Sequence, residues 1–243
     1  DGPDEQIDLA RQCGVMPKVV EFLKDGDSLV APALRVLGNM ATGNDVLTQT
    51  VIDLGTLRIL PQVMSKAKSS SIVKECCWLV SNVIAGTQKQ IGAVLESGLL
   101  PYLINVLQTG DHKCQFECSW AFSNLCQGGS SSQILEFVGE QPFTALCYVL
   151  SSSSHADLLA NILETMYAIL NTVSSTRPEK LDSIRMEIEE QGGIDALERL
   201  QESQSQKVYD YAYRIITEFF SEDDEEEHAT DENTAPEGGY NFM

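Results

Sequence analysis

Positive charge is scarce in this 243-residue chain: 16 Lys and Arg stand against 36 Asp and Glu, for a formal net charge of −20 at pH 7. So large a deficit of cations repels a phosphate backbone, so nucleic acid is not an expected partner and a cationic one is favoured. Aromatic residues make up 7%, and any role for an indole falls on the two tryptophans, Trp78 and Trp120. Histidines number three, His112, His155 and His228. None has a paired nucleophile or second base, and no glycine-rich phosphate loop occurs, so no enzyme is expected. No apolar run reaches the about 18 residues of a membrane-spanning helix and no charged-then-apolar leader opens the chain, so neither a membrane partner nor secretion is expected. Asp1-Gly2-Pro3 is not a natural start and reads as the beginning of a fragment.

Seven cysteines (Cys13, Cys76, Cys77, Cys114, Cys118, Cys126 and Cys147) form an odd set scattered through apolar stretches. That pattern suits reduced thiols of a cytosolic or nuclear protein rather than a disulfide framework. His112, Cys114 and Cys118 lie close in sequence, but no second Cys or His pair completes a tetrahedral site, so neither a metal nor a cofactor is expected.

What the chain does contain is a repeat. Gly14-Val15-Met16-Pro17 returns as Gly98-Leu99-Leu100-Pro101, with looser copies at Gly55 to Pro61 and Gly193 to Leu197. Between them Gly38-Asn39, Ser81-Asn82 and Ser123-Asn124 recur at separations of 43 and 42 residues. That period fits armadillo or HEAT units of about 40 to 47 residues. Glycine and polar breaks divide each unit into three helical stretches, near Gln88 to Ser97, Leu100 to Gln108 and Cys114 to Cys126 in the clearest one. The expected fold is all-α: an armadillo-repeat, right-handed superhelical solenoid of five three-helix units over residues 1 to 220, the last a cap, with the third helices lining its concave face. Residues 221 to 243 hold nine acidic residues and no Lys or Arg, and read as a disordered tail. Removing its nine charges leaves −11 on the solenoid, which is itself acidic.

Two successive third helices carry one spacing, Glu75-x-x-Trp78-x-x-x-Asn82 and Glu117-x-x-Trp120-x-x-x-Asn124. At 100° per residue, Glu falls about 60° and Asn about 40° from Trp, so all three share a stripe. Val73, Cys76, Val80 and Val83 lie mostly off that stripe and can face the core. Two indoles on stacked helices about 10 Å apart can sandwich the aliphatic stem of a Lys or Arg, with cation–π attraction of roughly 0.5 to 2 kcal/mol per ring. Each Asn amide can pair with a peptide unit of an extended ligand, and Glu75 and Glu117 counter its charge. The competing reading makes both Trp core residues and the Asn side chains rungs between helices. In the preceding unit Asn39 is retained, but Arg35 stands where Trp would be, positioned for a salt bridge to Glu75, so the groove narrows or ends its aromatic wall there.

The run Ala33-Leu34-Arg35-Val36-Leu37-Gly38-Asn39-Met40-Ala41-Thr42-Gly43, followed by the two Trp-x-x-x-Asn pairs, resembles the sixth to eighth armadillo repeats of importin-α, the karyopherin adaptor for nuclear import. Asp1 to Glu5, Glu189 to Gly193 and the ending Glu237 to Tyr240 are similar too, so the likeness spans essentially the whole chain. It implies a minor nuclear-localisation-signal site in which Trp78, Asn82, Trp120 and Asn124 form the Trp–Asn array. Glu117 and Ser81 match residues touching signal Arg side chains, while Thr42, Gly43, Asp45 and Thr48 fall in the segment that pockets the key Lys. Ala41, where a bulkier residue is usual, loosens that pocket. The resemblance further implies an export receptor and a nuclear-basket nucleoporin as partners of the last repeat and tail. Importin-β is implied as the partner of an N-terminal segment absent here, and cytoplasm and nucleus as the locations. The fourth unit departs from the array, with Glu164 and Ala168 in the Trp and Asn places, so no clamp is expected there. Two rivals remain: an armadillo scaffold of adhesion or signalling, whose groove would hold acidic partners with Lys and Arg, and a histone-chaperone-like protein acting through its acidic tail.

Overall fold

The computed structural model describes residues 4–24 and 28–221. The expected tail from residue 222 onward, including His228, and the Asp1-Gly2-Pro3 start lie outside the described residues. Among the described residues the regular elements are helical, with no strand. They form five triplets: α1 (Asp4–Gln12), α2 (Met16–Glu21) and α3 (Val30–Ala41); α4 (Asp45–Asp53), α5 (Thr56–Lys66) and α6 (Ser70–Ile84); α7 (Gln88–Glu96), α8 (Leu100–Thr109) and α9 (His112–Gly128); α10 (Ser131–Gly139), α11 (Phe143–Ser152) and α12 (Ala156–Thr176); α13 (Leu181–Glu190), α14 (Gly193–Leu200) and α15 (Gln206–Phe219). The third helices make the most extensive contacts, in the order α3, α6, α9, α12, α15; α8, α11 and α14 form a second row, and α4, α7 and α10 a third. The result is a solenoid, in which each unit buries its apolar face against its neighbours.

The turn between first and second helices explains the glycine phrase. Gly14, Gly55, Gly98 and Gly192 all have φ between 70° and 77°, the left-handed region in which a Cβ is strained. In the fourth unit Gln141 takes that place at φ 56°, so the conformation persists where the glycine is lost. In the fifth, the left-handed residue is Gly192 rather than Gly193, which instead begins α14 pressed against Ile188 and the Cys147 thiol.

Between units, polar side chains make a ladder. Thr87 and Gln90 form a capping box on α7, and Ser130 and Gln133 form the same box on α10. Each Gln then reaches one unit back: Gln90 Nε2 donates to the Asp45 carbonyl at 2.8 Å and Gln133 Nε2 to that of Gln88 at 2.7 Å. One side chain thus caps its own helix and fixes the spacing to the previous one. Six of the seven cysteines are buried and unpaired. Burial pushes the thiols of Cys114, Cys126 and Cys147 up to about 12, so they remain protonated packing groups.

Candidate peptide-binding groove

The tryptophans stand on the row of third helices, on α6 and α9. On α6, Cys76, Val80 and Val83 are fully buried and Val73 half-buried, which turns Trp78 and Asn82 to the other side. Trp78 is half-buried because its indole lies on α3 at Gly38. A Cβ built there would stand 2.7 Å from Trp78 Cε3 and closer still to Cζ3, so the ring occupies space that only glycine leaves open. Trp120, one unit on, is 40% exposed, unusual for so large an apolar side chain, and meets the edge of Phe116 at 6.2 Å. The sequence marks Gly38 only as part of the repeated Gly38-Asn39 phrase, not as a seat for Trp78, and does not single out Phe116. The signals were present: Gly38 precedes Asn39, and Phe116 falls one turn before Trp120.

The asparagines are rungs between successive third helices. Asn82 Nδ2 donates to the Gly38 carbonyl at 3.3 Å, and Asn124 Nδ2 to that of Ser81 at 3.1 Å. Each bond uses one donor of the amide, leaving Oδ1 and the second N–H for a ligand. Asn39 is half-buried, and its carbonyl accepts from Thr42 Oγ1 at 2.7 Å. Ser81 is buried, its hydroxyl donating to the Trp78 carbonyl at 2.8 Å.

A cleft of about 290 Å³ opens between α3, α6 and α9, lined by Arg35, Asn39, Lys74, Glu75, Trp78 and Glu117. Arg35 and Glu75 pair across α3 and α6, and Lys74 Nζ joins Glu75 at 3.3 Å. Burial alone would push the Glu75 carboxyl up, but the hydrogen bonds from Arg35 and Lys74 bring it below its ordinary value. Glu75 is therefore an internal counterion with 3% of its side chain exposed, not a free carboxylate facing the groove. Glu117 differs: it is half-buried and burial raises its pKa, with the Lys74 charge opposing and the Glu75 charge adding. A ligand cation would relieve that strain.

Beyond α3, Thr42 and Asp45 are exposed and Gly43 is half-buried. Thr48 is 3% exposed, its hydroxyl donating to the Ala41 carbonyl at 3.1 Å. It therefore does not present a free hydroxyl. His112 stacks on His155 at 3.4 Å, while the Cys114 and Cys118 thiols donate to the Ser70 and Leu103 carbonyls. In the fourth unit Glu164, in the Trp place, accepts from Lys207, Tyr211 and Gln127.

Models of the armadillo/β-catenin-like repeat match residues 44–85 and 87–127, the two units bearing the tryptophans, and an atypical Arm repeat matches residues 184–237. Importin subunit alpha-2 of Caenorhabditis elegans is 59% identical over 237 residues, covering 98% of this chain and 44% of the relative. Importin subunit alpha-4 of Arabidopsis thaliana is 33% identical over 248 residues, covering all of this chain and 46% of the relative. The chain thus spans under half the length of these curated relatives. Among solved structures, a designed armadillo repeat protein in complex with the peptide (KR)4 superposes with a TM-score of 0.75 at 24% identity, over 90% of this chain and 87% of that one. An engineered protein does so with a TM-score of 0.76 at 24% identity, over 90% and 86%. These likenesses fix the architecture as the all-α armadillo solenoid, and the sequence relatives show that the chain belongs to the importin-α family.

Proposed function

We propose that this chain is a non-catalytic nuclear import adaptor segment that captures extended, Lys- and Arg-rich localisation-signal peptides along α3, α6 and α9. The observation that carries this reading is that Trp78 lines an open cleft together with the half-buried carboxylate of Glu117, while Trp120 stands 40% exposed one repeat on, on the adjoining helix. Cationic side chains would lie between and over the indoles, where stacking and cation–π attraction supply about 0.5 to 2 kcal/mol per ring. The free Oδ1 atoms of Asn82 and Asn124, with Asn39 extending the row, would accept peptide N–H groups at one-repeat intervals. Arg35, bound to Glu75, closes the aromatic row at α3. Thr42, Gly43, Asp45 and Thr48 would form the pocket for one Lys, with Ala41 leaving it wider; Ser81 supports the wall between the two indoles.

In the same reading, residues 1–220 act as the peptide-binding solenoid. The last unit and acidic residues 221–243 serve an export receptor and a nuclear-basket nucleoporin, and importin-β engages a segment outside these 243 residues. The protein would then move between cytoplasm and nucleus. The acidic charge of the chain supports a basic ligand over the acidic partners of adhesion or signalling scaffolds. Fluorescence titration of the two tryptophans with a monopartite basic peptide tests the reading; an unchanged signal and no binding by calorimetry would overturn it.

A further inference from the structure

At the end of the row of third helices, the aromatic faces are occupied by the protein's own cations. In the fifth unit Lys207 lies one repeat after Glu164, and Tyr211 one repeat after Ala168. Arg214 stacks on the Tyr167 ring, its guanidinium carbon 4.2 Å from the centroid, with Nη2 bonded to the phenol oxygen and Nε to Glu218 at 3.0 Å. Lys207 stands 5.9 Å above the Tyr211 ring and pairs with Glu164 at 3.1 Å. Glu164 also accepts from the Tyr211 hydroxyl at 3.3 Å, and Glu218 from that of Tyr167 at 2.9 Å. A cleft of about 640 Å³ adjoins, lined by Gln206, Lys207, Asp210, Tyr211, Tyr213 and Arg214. Aromatic faces backed by carboxylates are the chemistry proposed for capturing a basic peptide at Trp78 and Trp120. Here both rings are already filled.

We infer that Lys207 and Arg214 are built-in occupants that close the fourth and fifth repeats to basic peptides and confine a bound peptide to α3, α6 and α9. This rests on the proposed function of the groove and adds where its footprint stops. With both cations gone, Tyr167, Tyr211, Glu164 and Glu218 form a vacant site for a peptide Lys or Arg. The test compares the parent chain with K207Q/R214Q, and with K66Q/K68Q, which removes the same charge at exposed lysines of the second unit. Each is titrated with a short basic peptide and with two versions lengthened by further Arg residues, one at each end. The expected result is binding of the longer peptides about tenfold tighter than the short one by K207Q/R214Q, for one direction of extension, with no such gap for the parent or K66Q/K68Q. An equal gap in all three proteins, or none in K207Q/R214Q while the parent binds the short peptide, overturns the inference alone. Failure of the parent to bind any peptide overturns the proposed function with it. Thermal unfolding checks that K207Q/R214Q is folded, and K207A/R214A provides a second variant with the same expectation.

Discussion

Trp78 rests on the bare backbone of Gly38, one repeat earlier, and Asn82 one turn further along α6 donates to the carbonyl of that same glycine. A single residue of α3 therefore seats both the indole and the amide of the next unit. A ring so held is half-buried without being core, which is how one side chain can serve both packing and ligand capture.

Replacing Gly38 by Ala puts a methyl group into the indole. Helix propensity favours Ala by about 1 kcal/mol, but overpacking costs about 1 to 3 kcal/mol. The variant should be modestly destabilised, with a shifted Trp emission and weakened peptide binding. Unaltered emission and affinity would mean that the contact does not set the ring's position.

Truncating the tryptophans separates groove from core. A core Trp→Ala costs roughly 3 to 5 kcal/mol of stability. Trp120, 40% exposed, should lose far less, while its removal weakens basic-peptide binding by a few kcal/mol. Trp78→Ala should lose somewhat more stability because of its contact with Gly38, with a similar loss of affinity. Asn82→Ala and Asn124→Ala should cost about 0.5 to 1.5 kcal/mol per hydrogen bond in binding, plus a stability loss from the broken rungs to Gly38 and Ser81.

The pairing of Arg35 with Glu75 has a pH signature. Burial opposes ionisation of Glu75, but its hydrogen bonds to Arg35 and Lys74 prevail and hold its pKa below the ordinary 4.5. A carboxylate with a depressed folded-state pKa contributes stability above that ordinary value and loses it as pH falls through the folded one. Arg35→Gln should thus melt lower than the parent at neutral pH, with the gap closing below about pH 4.5. A gap that stays constant down to acid pH would place the effect in packing and not in the ion pair.

Much of this architecture could be read from the sequence because its markers are local. Glycine before the second helix reports a positive φ, and Asn spaced by one repeat reports a shared face. The Arg35–Glu75 pair was also legible, since stacked repeats put residues about 40 apart side by side. Gln141 was not legible as a left-handed residue, because tertiary packing imposes that conformation on a side chain with no preference for it. The burial of Glu75 and Thr48 was hidden too: helical phase places Glu75 beside Trp78 and the family resemblance points to Thr48, but neither says how closely the preceding unit covers them. The cluster of Tyr167, Lys207, Tyr211 and Arg214 was not legible because Tyr167 on one helix and the other three on the next lie 40 to 47 residues apart and match no repeated phrase.

Calorimetric titration of a Lys/Arg-rich peptide into the parent chain and into W78A/W120A, each at low and high salt, decides whether the two indoles and the acidic cleft hold basic peptides. The groove predicts measurable binding by the parent that weakens as salt rises, since open ion pairs are screened within about 8 Å at physiological ionic strength. It also predicts binding lost in the double variant while that variant still unfolds cooperatively. Equal, salt-independent binding by both proteins would contradict it.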